Sequence, residues 1–225
     1  MRIAELWRYP VKSMAGEPLE AAELGPHGVA GDRILAVFDR AGGIVTSRSR
    51  PRLLGHRATL GPDGEPLVDG RPWRSPGVAR DVVDAAGPGA HLGPIDPGDR
   101  FDVLPLLVAT DGAISSLGLD RRRFRPNLLV GDVPGLAERG WEGRLLRAGP
   151  CVVAMHRLRA RCVMITFDPD TLVQDMNVLR GVVRELDGTL GLDSSVAAGG
   201  TLRVGDPVEV APRRPGGMAP PGGRG

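Results

Sequence analysis

Hydrophobic positions come in short runs along this chain, and turn residues break nearly every one. "RILAVFDRAGGIVTSR" (33–48) carries apolar residues on both sides of "DRAGG" and predicts a hairpin. "HRATLGPDGEPLVDG" (56–70) repeats the pattern about "GPDGEP". "LPLLVAT" (104–110) and "RPNLLVGD" (125–132) predict buried strands. "RLLRAGPCVVAMHRL" (144–158) predicts a hairpin around "AGP", "CVMITF" (162–167) a further strand, and "TLRVGDPVEV" (201–210) a last strand pair. Two stretches change period. Thr110 or Asp111 can cap a helix in "DGAISSLGLDRRRF", where Ile114 and Leu117 stand three apart. Asp175 can cap "MNVLRGVVREL", where Leu179, Val182, Val183 and Leu186 form one stripe and Gly188 stops the helix. The pattern predicts a mainly β protein, barrel-like or mixed, with a few helices.

Composition sharpens this. The 225 residues include 33 Gly and 21 Pro, as many short strands and turns require. "DAAGPGAHLGPIDPGD" (84–99) is loose in composition and is the best place for a boundary. The expected organisation is an N-terminal β-rich portion over 1–95, a second domain over 96–211, and a disordered Pro/Gly-rich tail over 212–225. A net charge of +2 argues against a nucleic-acid partner. The runs "RRRFR" (121–125) and "RRP" (213–215) read as solvated or small-anion sites. No apolar run approaches the ~20 residues of a membrane span, and "MRIAELWRYP" opens as a strand without an apolar signal core. Two cysteines make no disulfide framework, so a reduced, cytoplasmic setting is expected. They cannot supply the four thiolates of an iron–sulfur cluster, and with four scattered histidines they give no zinc spacing.

One cysteine invites chemistry. Taken as a strand, 162–167 puts Val163, Ile165 and Phe167 on a core face and Cys162, Met164 and Thr166 on the other. A thiol and a hydroxyl on one face suit a strand lining a pocket. A small buried hydrophobe is the other reading of Cys162, and strand pattern alone favours it. Arg159 and Arg161 could favour a thiolate, although Arg161 would point away from Cys162 in a regular strand.

"RCVMITFDPDT" (161–171) resembles the "R-C-x-x-T-T-V-D-P-D/E-T-G" element of MOSC domain proteins, the molybdenum-cofactor sulfurase C-terminal domains that include the amidoxime-reducing component family. "LWRYPVKSMAGEPL" (6–19) is similar to that family's opening strand with "Y-P-V-K-S". "GVAGDRILAVFDRAGGIVTSRSRPRL" (28–53), "RFRPNLLV" (123–130) and "GGTLRVGDPVEV" (199–210) resemble its further blocks, in the same order. The resemblance implies a MOSC β-barrel core with an N-terminal β-rich portion beside it. It also implies a bound molybdenum cofactor, a metal held by the dithiolene of a phosphorylated pyranopterin.

The residue roles follow from the resemblance. Cys162 falls on the family's single protein ligand to molybdenum, and a soft thiolate suits that metal. Lys12 and Ser13 match the "K-S" pair and Arg33 the arginine of "D-R", a set able to hold a phosphate. Arg125 and Asn127 match positions near the pterin, with Pro126 between them, and Thr110 matches a further polar contact. Asp168 is read first as shaping the turn after the cysteine and second as a catalytic candidate near the metal. His156 is a weaker candidate for proton donation. The chain departs from the family pattern at Met14, Ile165, Phe167 and Leu172 and is short between Gly70 and Phe101.

The implied activity is reduction of small N-hydroxylated compounds, N–OH to N–H plus water. Electrons come from an external ferredoxin-type or flavin reductase partner, since the chain has no flavin motif. "RRRFR" is a candidate basic patch for docking an acidic carrier. A cofactor carrier or a sulfur-transfer protein using Cys162 as a persulfide site remains an alternative, as does a MOSC protein that binds a ligand or partner without molybdenum.

Overall fold

The computed structural model describes residues 1–212. The first half runs β1 (Arg2–Arg8), β2 (Glu17–Leu19), β3 (Ala21–Gly25), β4 (Gly28–Val29), β5 (Leu35–Phe38), β6 (Ile44–Val45), β7 (Ala58–Leu60), β8 (Pro66–Val68), β9 (Arg71–Pro72), α1 (Pro76–Ala86) and β10 (His91–Pro94). The second half runs β11 (Leu106–Thr110), α2 (Asp111–Ser115), β12 (Leu128–Gly131), β13 (Arg144–Ala148), β14 (Cys151–Ala160), α3 (Met176–Leu186), β15 (Thr189–Ala198), β16 (Gly200–Arg203) and β17 (Val208–Pro212). The protein is mainly β, as its pattern predicts.

An eight-stranded sheet, in the order β17-β13-β14-β15-β11-β12-β1-β2, carries the main core. Ile3, Leu6, Val108, Leu128, Val130, Val153 and Leu192 are buried on it. Strand β11 pairs parallel with β12, and α2 lies in the crossover between them. The first half enters the second through this sheet, since β1 pairs with β12 along Arg2–Leu6. A second core lies under β5, β8 and α1, around Val37, Leu53, Val68, Val78 and Val82. A third lies under α2 and α3, around Ile114, Phe124, Ile165, Val182 and Leu190.

Hairpins β5/β6, β7/β8 and β13/β14 stand where the turn residues place them. Helix α3 begins at Asp175, whose side chain accepts from Asn177 N–H, and ends at Asp187 in the left-handed region. Its buried stripe is Val178, Val182 and Leu186 with Leu179 half-buried, whereas Val183 is 55% exposed. Strands β16 and β17 are not partners. The turn through Gly205 (φ 91) sends β16 to β3 and β17 to β13. The 84–99 zone holds the end of α1 and all of β10, which pairs with β5. Helix α1 is a further element with its own sequence signals: Ser75 accepts from Val78 N–H, Pro76 starts the first turn, and Val78, Val82, Ala85 and Ala86 face inward. Of the expected disordered tail, Pro212 lies in β17 and the rest falls outside the described residues. Among the described residues, no helix is long and apolar enough to cross a membrane.

Segment 162–167 is not a strand. β14 ends at Ala160, and Val163–Thr166 form a 3-10 turn. Thr166 Oγ1 donates to Val163 O at 2.7 Å and Ile165 N–H to Cys162 O at 3.2 Å, so local bonds replace a ladder.

Glu138 joins the second-half elements. It is 1% exposed and accepts from Thr110 N–H (2.9 Å), Thr110 Oγ1 (2.7 Å) and Gly191 N–H (2.8 Å). Burial pushes its carboxyl above the ordinary range, and those bonds pull it back only in part. Glu138→Gln turns an amide toward one of these donors. It is expected to lower stability by about 1–3 kcal/mol, read as a lower urea midpoint, and an unchanged midpoint would contradict this role.

Candidate functional site

A cavity of about 700 Å³ opens where the turn after β1, the β6 end, the 100–107 segment, the 123–127 segment and the end of β14 meet. Nine cationic side chains line it, against Asp102 and Asp193 as the two carboxylates. A formal charge of +2 spread over the chain conceals this concentration.

One end is built around Asp32, 1% exposed. Its Oδ1 accepts from Tyr9 N–H at 2.6 Å, and its Oδ2 accepts from Asn127 Nδ2 at 3.2 Å and pairs with Arg33. Burial pushes its carboxyl up, while Arg33 and those bonds oppose the rise. Asn127 also donates to Trp7 O (3.3 Å) and accepts from Leu107 N–H (3.2 Å), so much of its polarity serves the frame. Ser13 (φ 74), Arg33 (φ 49) and Arg125 (φ 55) all take left-handed backbone. Non-glycine residues in that region cost on the order of 1 kcal/mol or more each, and such strain clusters at functional sites.

Lys12, the only lysine of the chain, donates to Asp99 O at 2.9 Å and pairs with Asp102 at 3.0 Å. Asp102 also pairs with Arg48, which lines the same cavity as Cys162. A polar chain thus runs from Lys12 through Asp102 to Arg48. Burial alone would raise the Asp102 carboxyl, but Lys12 and then Arg48 bring it below the ordinary range. Burial pulls Arg48 down, but the neighbouring Cys162 and its pairing with Asp102 leave it above the ordinary arginine range.

Cys162 is half-buried on the cavity wall. Arg161 lines the same wall. Its NH2 group donates to Phe124 O at 2.8 Å, and its buried Nε has no partner among the described residues. Burial and the neighbouring Arg159 lower Arg161 to about 10. Arg100 likewise leaves a buried Nε unpartnered. Arg125 lies over the Tyr9 ring at 4.3 Å and is lowered to about 10, mainly by burial. Two orphaned guanidinium donors, a surplus of cations and one thiol on the wall fit an anionic ligand that brings its own thiophilic metal. Among the described residues, no group of three or more His, Cys, Asp or Glu could cage a metal. The single thiol would therefore complete a coordination shell supplied by an organic ligand.

Lys12, Ser13, Arg33, Arg125, Asn127 and Cys162 thus meet in one cavity. Thr110 and Asp168 do not line it. Thr110 caps α2 and gives its hydroxyl to Glu138, and it does not line the cavity. Asp168 accepts from Asp170 and Thr171 N–H, and pairs with the wall residue Arg123 at 2.8 Å. It shapes the turn and holds Arg123 without lining the cavity itself. His156 bonds Ser195 Oγ at 2.8 Å and is absent from the wall. "RRRFR" is not a free basic patch. Arg121 pairs with Glu5, Arg122 with Asp120 and Asp170, and Arg123 with Asp168, while Arg125 faces the cavity. The unread members are Arg48, Arg100, Asp102 and Arg157. Arg48 falls inside the family-like block over 28–53 with no role attached to it, no motif marks the other three, and the alternation of Arg157, Arg159 and Arg161 through the end of β14 hints that these share a face.

Two family profiles match the chain: the MOSC N-terminal beta barrel domain over residues 1–71 and the MOSC domain over residues 109–209. The chain belongs to the MOSC-domain family. It is 27% identical to a Macaca fascicularis protein named mitochondrial amidoxime reducing component 2, over 92% of this chain and 82% of that one. It is 26% identical to the Homo sapiens mitochondrial amidoxime-reducing component 1, over the same shares. The solved YUAD protein of Bacillus subtilis has the same fold, with a TM-score of 0.52, 14% identity, and coverage of 95% of this chain and 96% of that one.

Lys12→Met removes the leading pull on Asp102. The Asp102 carboxyl is then expected to titrate at higher pH, followed by side-chain carbonyl carbon NMR. The sign is fixed by linkage. A depressed carboxyl stabilises the fold above its unfolded value, and that contribution is lost as pH falls through the folded value. In the variant the loss therefore begins at higher pH. An unmoved carboxyl would mean that Lys12 does not set it.

Proposed function

We propose that this protein binds a molybdenum cofactor in the cationic cavity and reduces small N-hydroxylated compounds. The observation that carries the reading is the meeting of one thiol, Cys162, with an excess of guanidinium groups on one cavity wall. The names of the relatives support the substrate class. Lys12, Ser13 and Arg33 would hold the phosphate, through one point charge, one hydroxyl and one planar fork. Arg125 and the Asn127 segment would flank the pterin, and Cys162 would be the protein ligand to the metal. When bound, the cofactor supplies two-electron redox chemistry at the metal. The protein binds, orients and screens. Arg48 would add positive charge to the wall that carries Cys162, and Arg161 would supply its Nε–H as a donor. The net reaction consumes two electrons and two protons and releases amine or amidine and water. An external ferredoxin-type or flavin reductase partner would supply the electrons.

The test is turnover. Protein from a host that makes the cofactor, with reduced methyl viologen as electron source, is expected to convert benzamidoxime to benzamidine. Cys162→Ala should fall to background. Equal rates in both proteins, or none from wild type containing molybdenum, would overturn the reading.

A further inference from the structure

A second cavity, about 390 Å³, adjoins the first. Arg123, Arg125 and Met164 line both. Met164 stands two residues from Cys162 in the chain, so the two cavities meet beside the segment that carries the thiol. The rest of its lining differs in character from the first. Trp7 and Tyr9 stack there, centroids 6.4 Å apart at 18°, and Leu54 and Phe167 add apolar wall. Its acidic residue, Asp170, is held at two points by Arg122, at 2.8 and 2.7 Å. Arg57, by contrast, is exposed on this lining, and its guanidinium has no ion pair or hydrogen bond among the described residues. Flat aromatic walls with an exposed, unpaired guanidinium at Arg57 select a flat apolar body carrying an anionic group.

We infer that this cavity holds the organic part of the substrate, and that the preferred substrates are aromatic N-hydroxylated compounds bearing a carboxylate. The assignment rests on the proposed reductase reading for its reaction, but not for its binding. The ring lies against Trp7, Leu54 and Phe167, the carboxylate meets Arg57, and the N–OH end points through the junction at Met164 toward the first cavity.

Binding is tested without turnover, using 4-carbamoylbenzoate and uncharged benzamide on the full chain. 4-Carbamoylbenzoate is expected to bind by calorimetry and to quench tryptophan fluorescence. Trp7→Phe should lose the quenching and keep the heat. Arg57→Gln should weaken 4-carbamoylbenzoate roughly tenfold, the size of one charge-assisted hydrogen bond, and leave benzamide unchanged. Leu54→Ala should weaken both. Absence of binding to wild type, or binding that Arg57→Gln and Leu54→Ala leave untouched, would overturn the assignment. With loaded protein, Arg57→Gln should lower kcat/KM for 4-carboxybenzamidoxime about tenfold and spare hydroxylamine. A protein that binds 4-carbamoylbenzoate as expected and reduces neither compound retains the cleft and loses the reductase reading. One that reduces hydroxylamine and ignores 4-carbamoylbenzoate retains the reductase reading and loses the cleft.

Discussion

The buried carboxylate of Asp32 is the contact on which the site depends. It reaches Tyr9 after β1, Arg33 before β5 and Asn127 before β12, segments far apart in the chain. A buried carboxylate is costly unless paired and hydrogen-bonded, and here every bond it accepts places a cavity element. The Tyr9 position then sets Arg125, whose guanidinium lies over the phenol ring. Arg33 Cζ also lies 5.4 Å from that ring and 5.5 Å from Phe101. One acid and one ring thus orient two of the arginines that face the cavity.

The second constraint is repulsion. Many cations share a wall with few acids, and burial lowers Arg125 and Arg161 to about 10. An anion in the cavity would relieve both the crowding and the orphaned Nε of Arg161. Ligand binding to the folded state alone stabilises it by mass action, so the occupied protein should be the more stable one. Asp102 partly substitutes for such an anion by joining Lys12 to Arg48. The 72–108 segment that supplies Asp102 and Arg100 lies between the two profile matches. Family motifs therefore could not point to these two residues.

Much of the β architecture was legible, because hairpins declare themselves through turn residues and alternation. The failures have physical causes. Segment 162–167 has strand composition, but Thr166 bonds backward and Asp168 gathers the following amides, so the chain coils into a 3-10 turn. Cys162 and Met164 still line the cavity, as a strand would have placed them. Thr166 does not: it is fully buried. The strand pair read at 201–210 divides between two sheets because Gly205 turns the chain by a positive φ that hydrophobic pattern does not register. The departure at Leu172 also gains a meaning. Leu172 has φ 59, a conformation that suits the glycine of the family motif. Thr110 was placed near the ligand from the motif alone, and Glu138, invisible to any short pattern, takes its hydroxyl. Long-range ties of this kind lie beyond local sequence.

On the proposed reading, Cys162 completes the coordination of a molybdenum atom held in the cationic cavity. X-ray absorption at the molybdenum edge tests it most directly, on wild type and Cys162→Ser purified from a host that makes the cofactor. Molybdenum is expected in both, with one fewer sulfur in the first shell of the variant. An identical sulfur shell in the two proteins would contradict it.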